Sequence, residues 1–220
     1  EYQPEISIGT GRVVGVEALL RWRHPERGLL KPDDFLPAAE SSGLIVPIGE
    51  WVLRQACIQA RRWRDEGYPV VVAVNLSSVQ FFHNNLVACV DEALAESGLE
   101  PRFLDLEITE DIIMSADEAT LATVNALGSR GVRLTIDNFG TGCSSLSFLR
   151  RVPLSKLKID RSFVDEIERD PKEAAIIPAI IAVARGLKLR VVAEGVETAE
   201  QLDFLQQHGC DNYQGFYASV

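Results

Sequence analysis

Side chains that bear oxygen recur at or near the carboxyl ends of the apolar runs in this sequence. The stretch LTIDNFGTGCSSL, residues 134–146, closes one such run with Asp137 and Asn138, directly ahead of a glycine-containing loop. Other runs end in a similar way, with the residues Glu17, Asn75, Glu107, Lys158, Asp160, Glu194 and Gln214. Crowded carboxylates raise one another's pKa, which a bound cation relieves, and carboxylate and amide oxygens favour Mg²⁺ or Mn²⁺ over zinc. The pattern predicts a site for hard divalent cations if these ends meet.

A site of this kind would suit the hydrolysis of a phosphate ester. Two divalent cations about 4 Å apart can clamp a phosphodiester and lower the pKa of bound water. A bridging carboxylate is needed between the cations, and Asp137 is the candidate. Lys158, the one basic residue in the set, would orient the water or balance the charge of the acids.

The elements that must position these residues alternate between strand patterns and helix patterns. Eight strands are predicted, with the sequences ISI, VVGVEALLRW, VVVAVNLS, FLDLEIT, RLTIDNF, LSKLKIDRSF, RVVAEGVE and NYQGFY. The turn signal GTGR between the first two indicates a hairpin, so one strand should run antiparallel to the rest. Helices are predicted from PIGEW to Gly67 and over LVACVDEALAESG, ATLATVNALGSRG, the short SLSFLRRV, KEAAIIPAIIAVARG with a kink at Pro178, and AEQLDFLQQHG.

This alternation predicts an α/β fold, a modified TIM-type (β/α)8 barrel. Near-continuous apolar strands such as VVVAVNL suit a parallel sheet that is buried on both faces. In a parallel barrel the carboxyl ends of the strands share one face, where the polar residues would converge. An open doubly wound sheet is the alternative, and the lack of a GxGxxG motif after the first strand weighs against it.

Composition indicates one globular domain over residues 1–220, since the chain is 46% apolar and 25% charged. The formal net charge of −10 argues against DNA or another general nucleic-acid partner, because phosphate backbones attract basic surfaces. The four cysteines lack CxxC spacing, which favours reduced thiols and a cytoplasmic domain. The chain starts and stops inside predicted strands, so we expect a domain excised from a longer multidomain signalling protein, with inner-membrane anchoring of that parent left open.

A series of short motifs then appears in a fixed order: EALLRW, NLS, EITE, DNFGTG, KIDRSFV, AEGVE and QG. Together, over essentially the whole chain, they resemble the EAL domain family of bacterial phosphodiesterases, which linearise cyclic di-GMP. The resemblance implies a modified (β/α)8 barrel with its first strand antiparallel. It also implies hydrolysis of cyclic di-GMP to linear pGpG at a two-metal site for Mg²⁺ or Mn²⁺, with Ca²⁺ supporting binding without hydrolysis. A homodimer through residues 139–165, and linked GGDEF, sensory or membrane domains, are further implications.

The resemblance also implies a role for each matching residue. The first metal would be held by Glu17, Asn75, Glu107 and Asp137, and the second by Asp137, Asn138 and Glu194. The catalytic set would comprise Lys158 beside the attacking water, Glu194, and Glu110, which would brace the glycine loop. The dinucleotide would be contacted or framed by Gln3, Leu20, Arg21, Asp160, Glu197 and Gln214. Asp160 has a simpler alternative, as a residue that only caps or braces its strand end.

One position departs from the family pattern in a way that bears on activity. The family usually has two aspartates where this chain has Asp137 and Asn138. An asparagine can coordinate Mg²⁺ through its carbonyl oxygen, but as a neutral ligand. We expect weakened binding of the second metal and an activity that survives but demands more metal or prefers Mn²⁺. The alternatives are a catalytically weak or silent cyclic di-GMP receptor, favoured by Asn138 alone, and a purely structural dimerisation module. Cys143 stands where the family commonly has tyrosine, and its simplest interpretation is a small filler.

Overall fold

The computed structural model describes residues 1–83, 85–114, 117–140 and 149–218. Eight strands close into a barrel, in the order β1-β10-β9-β8-β7-β6-β5-β2. The barrel strands are β1 Tyr2–Ser7, β2 Val13–Ala18, β5 Val71–Leu76, β6 Leu104–Thr109, β7 Arg133–Phe139, β8 Lys156–Ile159, β9 Arg190–Ala193 and β10 Asn212–Tyr213. A separate small hairpin consists of β3 Trp22–His24 and β4 Gly28–Leu30. The predicted closed barrel is therefore confirmed, and the alternative of an open sheet is wrong.

Helices surround this barrel. In chain order they are α1 Pro32–Ser41, α2 Ile45–Asp65, α3 Ser78–Phe81, α4 Leu86–Ser97, α5 Glu110–Met114, α6 Glu118–Ser129, α7 Arg161–Asp165, α8 Pro171–Ala174, α9 Ile176–Gly186 and α10 Ala199–His208. A turn of 3₁₀ helix, Pro101–Phe103, precedes β6. Several of these helices end where the sequence predicted: Gly98 and Gly209 adopt the left-handed conformation at the ends of α4 and α10, which glycine tolerates without a steric penalty.

The first strand runs against its neighbours, as the hairpin signal predicted. Strand β1 pairs antiparallel with both β2 and β10, whereas the pairs of barrel strands from β2 round to β10 are parallel. The reversal is made in the turn after Ser7, where Gly11 has a φ of +65°. As a result the start of β1 lies at the same rim as the carboxyl ends of the other strands, and Gln3 pairs with Glu17 across the ladder.

The strands are apolar on their outer face and polar on their inner face. In β6, Leu104, Leu106 and Ile108 are completely buried beneath the helices, and each contributes about 1.5–3 kcal/mol of burial. The two residues between them, Asp105 and Glu107, alternate to the barrel interior, because successive side chains of a strand point to opposite faces. The helices complete the core from outside, as α2 does with Leu53, Ala56, Cys57 and Ala60.

The interior holds a layer of buried charge below the rim. Lys156 Nζ lies 2.6 Å from Glu5 Oε2 and 3.0 Å from Asp105 Oδ2. Asn212 Nδ2 donates to Glu5 Oε1 at 2.6 Å, and Thr135 Oγ1 donates to Asp105 Oδ1 at 2.8 Å. Burial opposes the charge on Lys156, but Asp105 and Glu5 raise its pKa above the ordinary value. This lower layer of five residues ties together β1, β6, β7, β8 and β10.

Several sequence predictions about element boundaries are wrong. The strand predicted over LSKLKIDRSF ends at Ile159, because Asp160 caps helix α7 and places Arg161 in its first turn. The single kinked helix at Pro178 is instead two helices that break at Ala175, so that Pro178 falls in the first turn of α9, where a missing N–H is tolerated. The strands predicted over RVVAEGVE and NYQGFY are shorter than predicted, since β9 ends at Ala193 and β10 at Tyr213, one residue before Glu194 and Gln214 respectively.

Some elements were not predicted, and some predictions fall outside the described residues. The hairpin β3–β4 and helix α1 were not predicted from the sequence. The predicted short helix SLSFLRRV, residues 145–152, and the loop that carries Cys143 fall largely outside the described residues. Within the part of the chain that the structure describes, no helix is both long enough and apolar enough to cross a membrane.

Candidate active site

The side chain of Lys158 stands at the centre of the barrel mouth, among carboxylates from four other strands or strand ends. Its Nζ lies 2.6 Å from Glu194 Oε1, 2.8 Å from Glu107 Oε2 and 2.9 Å from Glu17 Oε2. Asp137 Oδ1 is more distant, at 3.8 Å. Lys158 is 1% exposed, so the ammonium is stabilised by these carboxylates and not by water.

Amide side chains extend this cluster toward β1 and β10. Asn75 Nδ2 donates to Glu17 Oε1 at 2.6 Å, and Gln214 Nε2 donates to Glu17 Oε2 at 2.8 Å. The same Gln214 nitrogen also lies 2.8 Å from Gln3 Oε1. Glu17 is therefore held from both sides by amide donors and from within the barrel by Lys158.

The carboxylates of this cluster differ in how well their charge is compensated. Burial alone would raise the pKa of Glu17, but Lys158 and the hydrogen bonds from Gln214 and Asn75 hold that pKa below its ordinary value. Burial raises the pKa of Glu107 well above its ordinary value despite the opposing effect of Lys158. Burial likewise raises the pKa of Glu194 to about 7, against Lys158 and with added repulsion from Asp137. One ammonium is thus too little positive charge for the acids around it.

Near the end of β7, the Asp137–Asn138 pair lies where the register with β8 shifts between Ile136 and Phe139. Asn138 has a φ of +55°, in the left-handed region that asparagine and aspartate enter more readily than most residues. Its backbone N–H donates to Asp137 Oδ1 at 2.9 Å. Just beyond, Gly140 N–H donates to Glu110 Oε2 at 3.0 Å, so Glu110 contacts the start of the glycine loop. The rest of that loop, residues 141–148, lies outside the described residues.

The chemistry of the donor set fits hard divalent cations, although the acids face Lys158 as they stand. Among the described residues, no group of three or more His, Cys, Asp or Glu side chains is arranged to hold a metal ion. The four carboxylates and the oxygen of Asn75 are nevertheless the ligand types that Mg²⁺ and Mn²⁺ prefer. The raised pKa values of Glu107 and Glu194 mark where further positive charge would be stabilised. Cation binding would require Lys158 Nζ to give up part of its carboxylate contacts.

Two residues predicted to contact substrate lie beside the mouth, on the segment that follows β2. Arg21 Nε lies 2.7 Å from Glu1 Oε2, and Arg21 Nη1 donates to Leu20 O at 3.0 Å. Leu20 and Arg21 line two adjoining cavities, of about 250 and 840 Å³. Trp51 lines both cavities and is 56% exposed, so this side of the mouth presents an aromatic surface next to a guanidinium.

Asp160 and Glu197 were also predicted to contact substrate, and they lie on the opposite side of the mouth. Asp160 Oδ1 accepts a hydrogen bond from Ser162 N–H at 2.9 Å and so caps helix α7. Glu197 Oε1 lies 2.8 Å from Arg161 Nη2. A cavity of about 260 Å³ is lined there by Gln3, Glu194 and Glu197.

Comparison of the sequence and the fold with known proteins identifies the family of this chain. The family model described as EAL domain matches residues 1–220, the whole chain. The chain belongs to the EAL domain family. Its members include a Pseudomonas aeruginosa protein named bifunctional diguanylate cyclase/cyclic di-GMP phosphodiesterase MucR, which is 51% identical over 216 residues. That alignment covers 98% of this chain and 32% of MucR.

Two further relatives are named as cyclic di-GMP phosphodiesterases. Cyclic di-GMP phosphodiesterase NbdA of Pseudomonas aeruginosa is 46% identical, over 99% of this chain and 28% of NbdA. Cyclic di-GMP phosphodiesterase PdeR of Escherichia coli is 42% identical, over 98% of this chain and 32% of PdeR. The EAL domain therefore spans about a third or less of the length of these curated relatives.

Solved structures agree with the fold of this EAL domain. The PaMucR phosphodiesterase in complex with c-di-GMP superposes with a TM-score of 0.97 at 50% identity, over 100% of this chain and 89% of that one. The FimX EAL domain of Pseudomonas aeruginosa bound to c-di-GMP gives a TM-score of 0.88 at 26% identity, over 100% and 88% of the two chains. The modified barrel with an antiparallel first strand is thus the fold of the family.

Two features of the EAL domain were not predicted from the sequence. The lower layer around Lys156 was missed, although Lys156 and Lys158 flank Leu157 with the two-residue period of a strand and so share a face. Arg161 was taken as part of a strand, yet it lines the cavity beside Glu194 and Glu197. The signal that could have found it is Asp160 followed by Arg161 and Ser162, because aspartate is a favoured residue immediately before a helix.

Proposed function

We propose that this EAL domain is a metal-dependent phosphodiesterase that hydrolyses cyclic di-GMP to linear pGpG. The single observation that supports the proposal most is the convergence of Glu17, Glu107, Asp137 and Glu194 on Lys158 at one barrel mouth. The names of MucR, NbdA and PdeR support cyclic di-GMP as the substrate. The c-di-GMP complexes of PaMucR and FimX support a dinucleotide site in this fold.

Two Mg²⁺ or Mn²⁺ ions are the proposed cofactors. The first would be held by Glu17, Asn75, Glu107 and Asp137, and the second by Asp137, Asn138 and Glu194. When bound, such ions polarise the phosphate and activate the water that attacks it. Ca²⁺ is proposed to occupy the site and support binding without hydrolysis.

Side chains of the domain would position the attacking water and the substrate. Lys158 would hold the attacking water through a hydrogen bond from Nζ, because its buried ammonium already points into the mouth. Gln214 would keep Glu17 oriented through its amide. Arg21 would meet a phosphate of the dinucleotide, since guanidinium groups bind phosphate through two parallel hydrogen bonds.

The other proposed contacts surround these residues. Gln3, Leu20, Asp160 and Glu197 would contact or frame the dinucleotide. Glu110 would couple the site to the glycine loop through its hydrogen bond with Gly140. A homodimer through residues 139–165 is also proposed, and part of that range lies outside the described residues. Linked GGDEF, sensory or membrane domains are proposed because the curated relatives are much longer than this domain.

Asn138 makes the metal dependence of the reaction testable. We expect hydrolysis of cyclic di-GMP in Mn²⁺ and weaker hydrolysis in Mg²⁺, because the second site has lost one negative charge. The Asn138→Asp variant should reach half-maximal rate at a lower metal concentration, with its backbone intact, since aspartate also tolerates the left-handed conformation. The assay follows pGpG release across a metal titration for both proteins. Binding of cyclic di-GMP without pGpG formation in any metal would instead identify a silent receptor.

A further inference from the structure

The cavity of about 260 Å³ beside the mouth contains a positive charge that the proposed reaction does not use. Gln3, Glu194 and Glu197 line it together with Arg161 and the exposed ring of Phe216. Glu194 belongs to both this cavity and the mouth, because it also lies 2.6 Å from Lys158 Nζ. A ligand with its phosphate at the mouth therefore has a polar cavity with an aromatic ring next to it.

The backbone that carries Glu197 is held in place from several sides. Glu194 N–H donates to Ile159 O at 3.1 Å, and Val196 N–H donates to Gln214 O at 3.1 Å. Glu197 N–H donates to Gln201 Oε1 at 2.7 Å, within the capping box at the start of α10. What these bonds leave undetermined is the direction of the Glu197 carboxylate, because the side chain is 37% exposed and has several rotamers.

Arg161 determines that direction. Its aliphatic stem lies flat over Gly195, so that a Cβ at position 195 would overlap three carbons of the arginine and lie 2.8 Å from its Cδ. Its guanidinium then bridges two acids, with Nη2 2.8 Å from Glu197 Oε1 and Nε 3.3 Å from Asp165 Oδ2. Asp165 and Arg161 are one turn apart on α7, which fixes the plane of the guanidinium.

We propose that Arg161 is a positioning residue that holds the Glu197 carboxylate for recognition of a guanine base of the substrate. The inference rests on the proposed function and names how one base is selected. A carboxylate accepts hydrogen bonds only, and the N1–H and 2-amino groups of guanine are two adjacent donors. A fixed carboxylate can accept from both donors, whereas a freely rotating one loses this preference along with binding free energy.

The test compares Arg161→Met with the parent EAL domain on two substrates. Cyclic di-GMP carries the 2-amino group, and cyclic di-IMP is the same ring without it. We expect Arg161→Met to raise KM for cyclic di-GMP about tenfold, as expected for loss of one charge-assisted hydrogen bond, with kcat changed by less than about twofold. KM for cyclic di-IMP should change much less, so discrimination between the two falls. The affinities in Ca²⁺, measured by calorimetry, should follow the same pattern.

Four further variants separate positioning from stability. Arg161→Met combined with Glu197→Gln should weaken binding no more than Glu197→Gln alone, because the arginine acts through that carboxylate. Arg161→Lys should restore part of the discrimination, since an ammonium can make one of the two contacts. Arg169→Met is the matched control, because the Arg169 side chain is more exposed than that of Arg161 and its guanidinium lies 3.8 Å from Glu166 Oε1.

The outcomes distinguish this inference from the proposed function. An Arg161→Met variant that discriminates between the two substrates as well as the parent overturns the inference. Equal losses on both substrates also overturn it, because they show an effect of general charge or folding. A parent protein that neither binds nor hydrolyses cyclic di-GMP overturns the proposed function and, with it, the role assigned here to Arg161.

Discussion

Replacing Lys158 with methionine tests whether this one ammonium holds the carboxylates of the mouth together. Methionine keeps most of the volume and removes the charge from a side chain that is 1% exposed. Three carboxylates within 2.9 Å of Nζ would then lose their shared partner. Removing one member of a buried ion pair costs about 3–5 kcal/mol, and we expect the upper end here because a single ammonium serves several acids.

The expected loss is large relative to the whole stability of a domain, which is about 5–15 kcal/mol. For a chain of this size it corresponds to a fall in Tm of about 10–20 °C. Urea unfolding of the metal-free protein, followed by circular dichroism, measures the free energy directly. Lys172→Met is the control, because Lys172 is exposed on helix α8 and its replacement should change the free energy of unfolding by less than about 0.5 kcal/mol.

Added Mn²⁺ provides the second half of the test. A cation that takes over the role of the ammonium should stabilise Lys158→Met by about 2.7 kcal/mol at a hundredfold excess over its Kd, and should stabilise the parent less. If Lys158→Met unfolds within 1 kcal/mol of the parent in the absence of metal, the electrostatic account of the mouth is wrong. If Mn²⁺ stabilises neither protein, the proposed metal site is wrong as well.

Three other measurements address the surroundings of the site. Gly215→Ala should lower the free energy of unfolding by about 1–3 kcal/mol in urea, because its Cβ would overlap the backbone of Val196, which cannot move aside; an unchanged midpoint would contradict this packing. Asn138→Ala should be about 1–2 kcal/mol less stable than Asn138→Gly, because residue 138 has a φ of +55°. Equal stabilities would show that the backbone at residue 138 relaxes. Burial raises the pKa of the Cys57 and Cys210 thiols to about 12, so both should resist alkylation at pH 8 until urea is added, as peptide mass spectrometry would show.

The barrel could be predicted from the sequence because its strands are apolar and separated by clear helix signals. The hairpin before Glu17 and the glycine after α4 are local features, and local features are visible in a single sequence. The convergence of Glu17, Glu107 and Lys158 followed from the rule that strand ends share one face of a barrel. That rule needs only the order of the elements.

What could not be predicted depends on contacts between distant segments. The pairing of Lys156 with Glu5 joins residues 151 positions apart, and no periodicity within either strand predicts it. The break at Ala175 was missed because the helix pattern continues through it on both sides. The strand predicted over RVVAEGVE was extended beyond Ala193, since apolar runs do not show where ladder hydrogen bonds stop.

The reversed direction of β1 decides where the polypeptide enters the barrel. In a barrel built only of parallel strands, the first strand begins at the pole remote from the chemistry. Here Tyr2 begins at the rim that carries the mouth, and Gln3 Oε1 accepts a hydrogen bond from Gln214, which directly follows the last strand. A peptide joined ahead of Tyr2 would therefore pull on the seam between the first and last strands, directly beside Glu17. A force on that peptide would therefore act close to the carboxylates of the mouth.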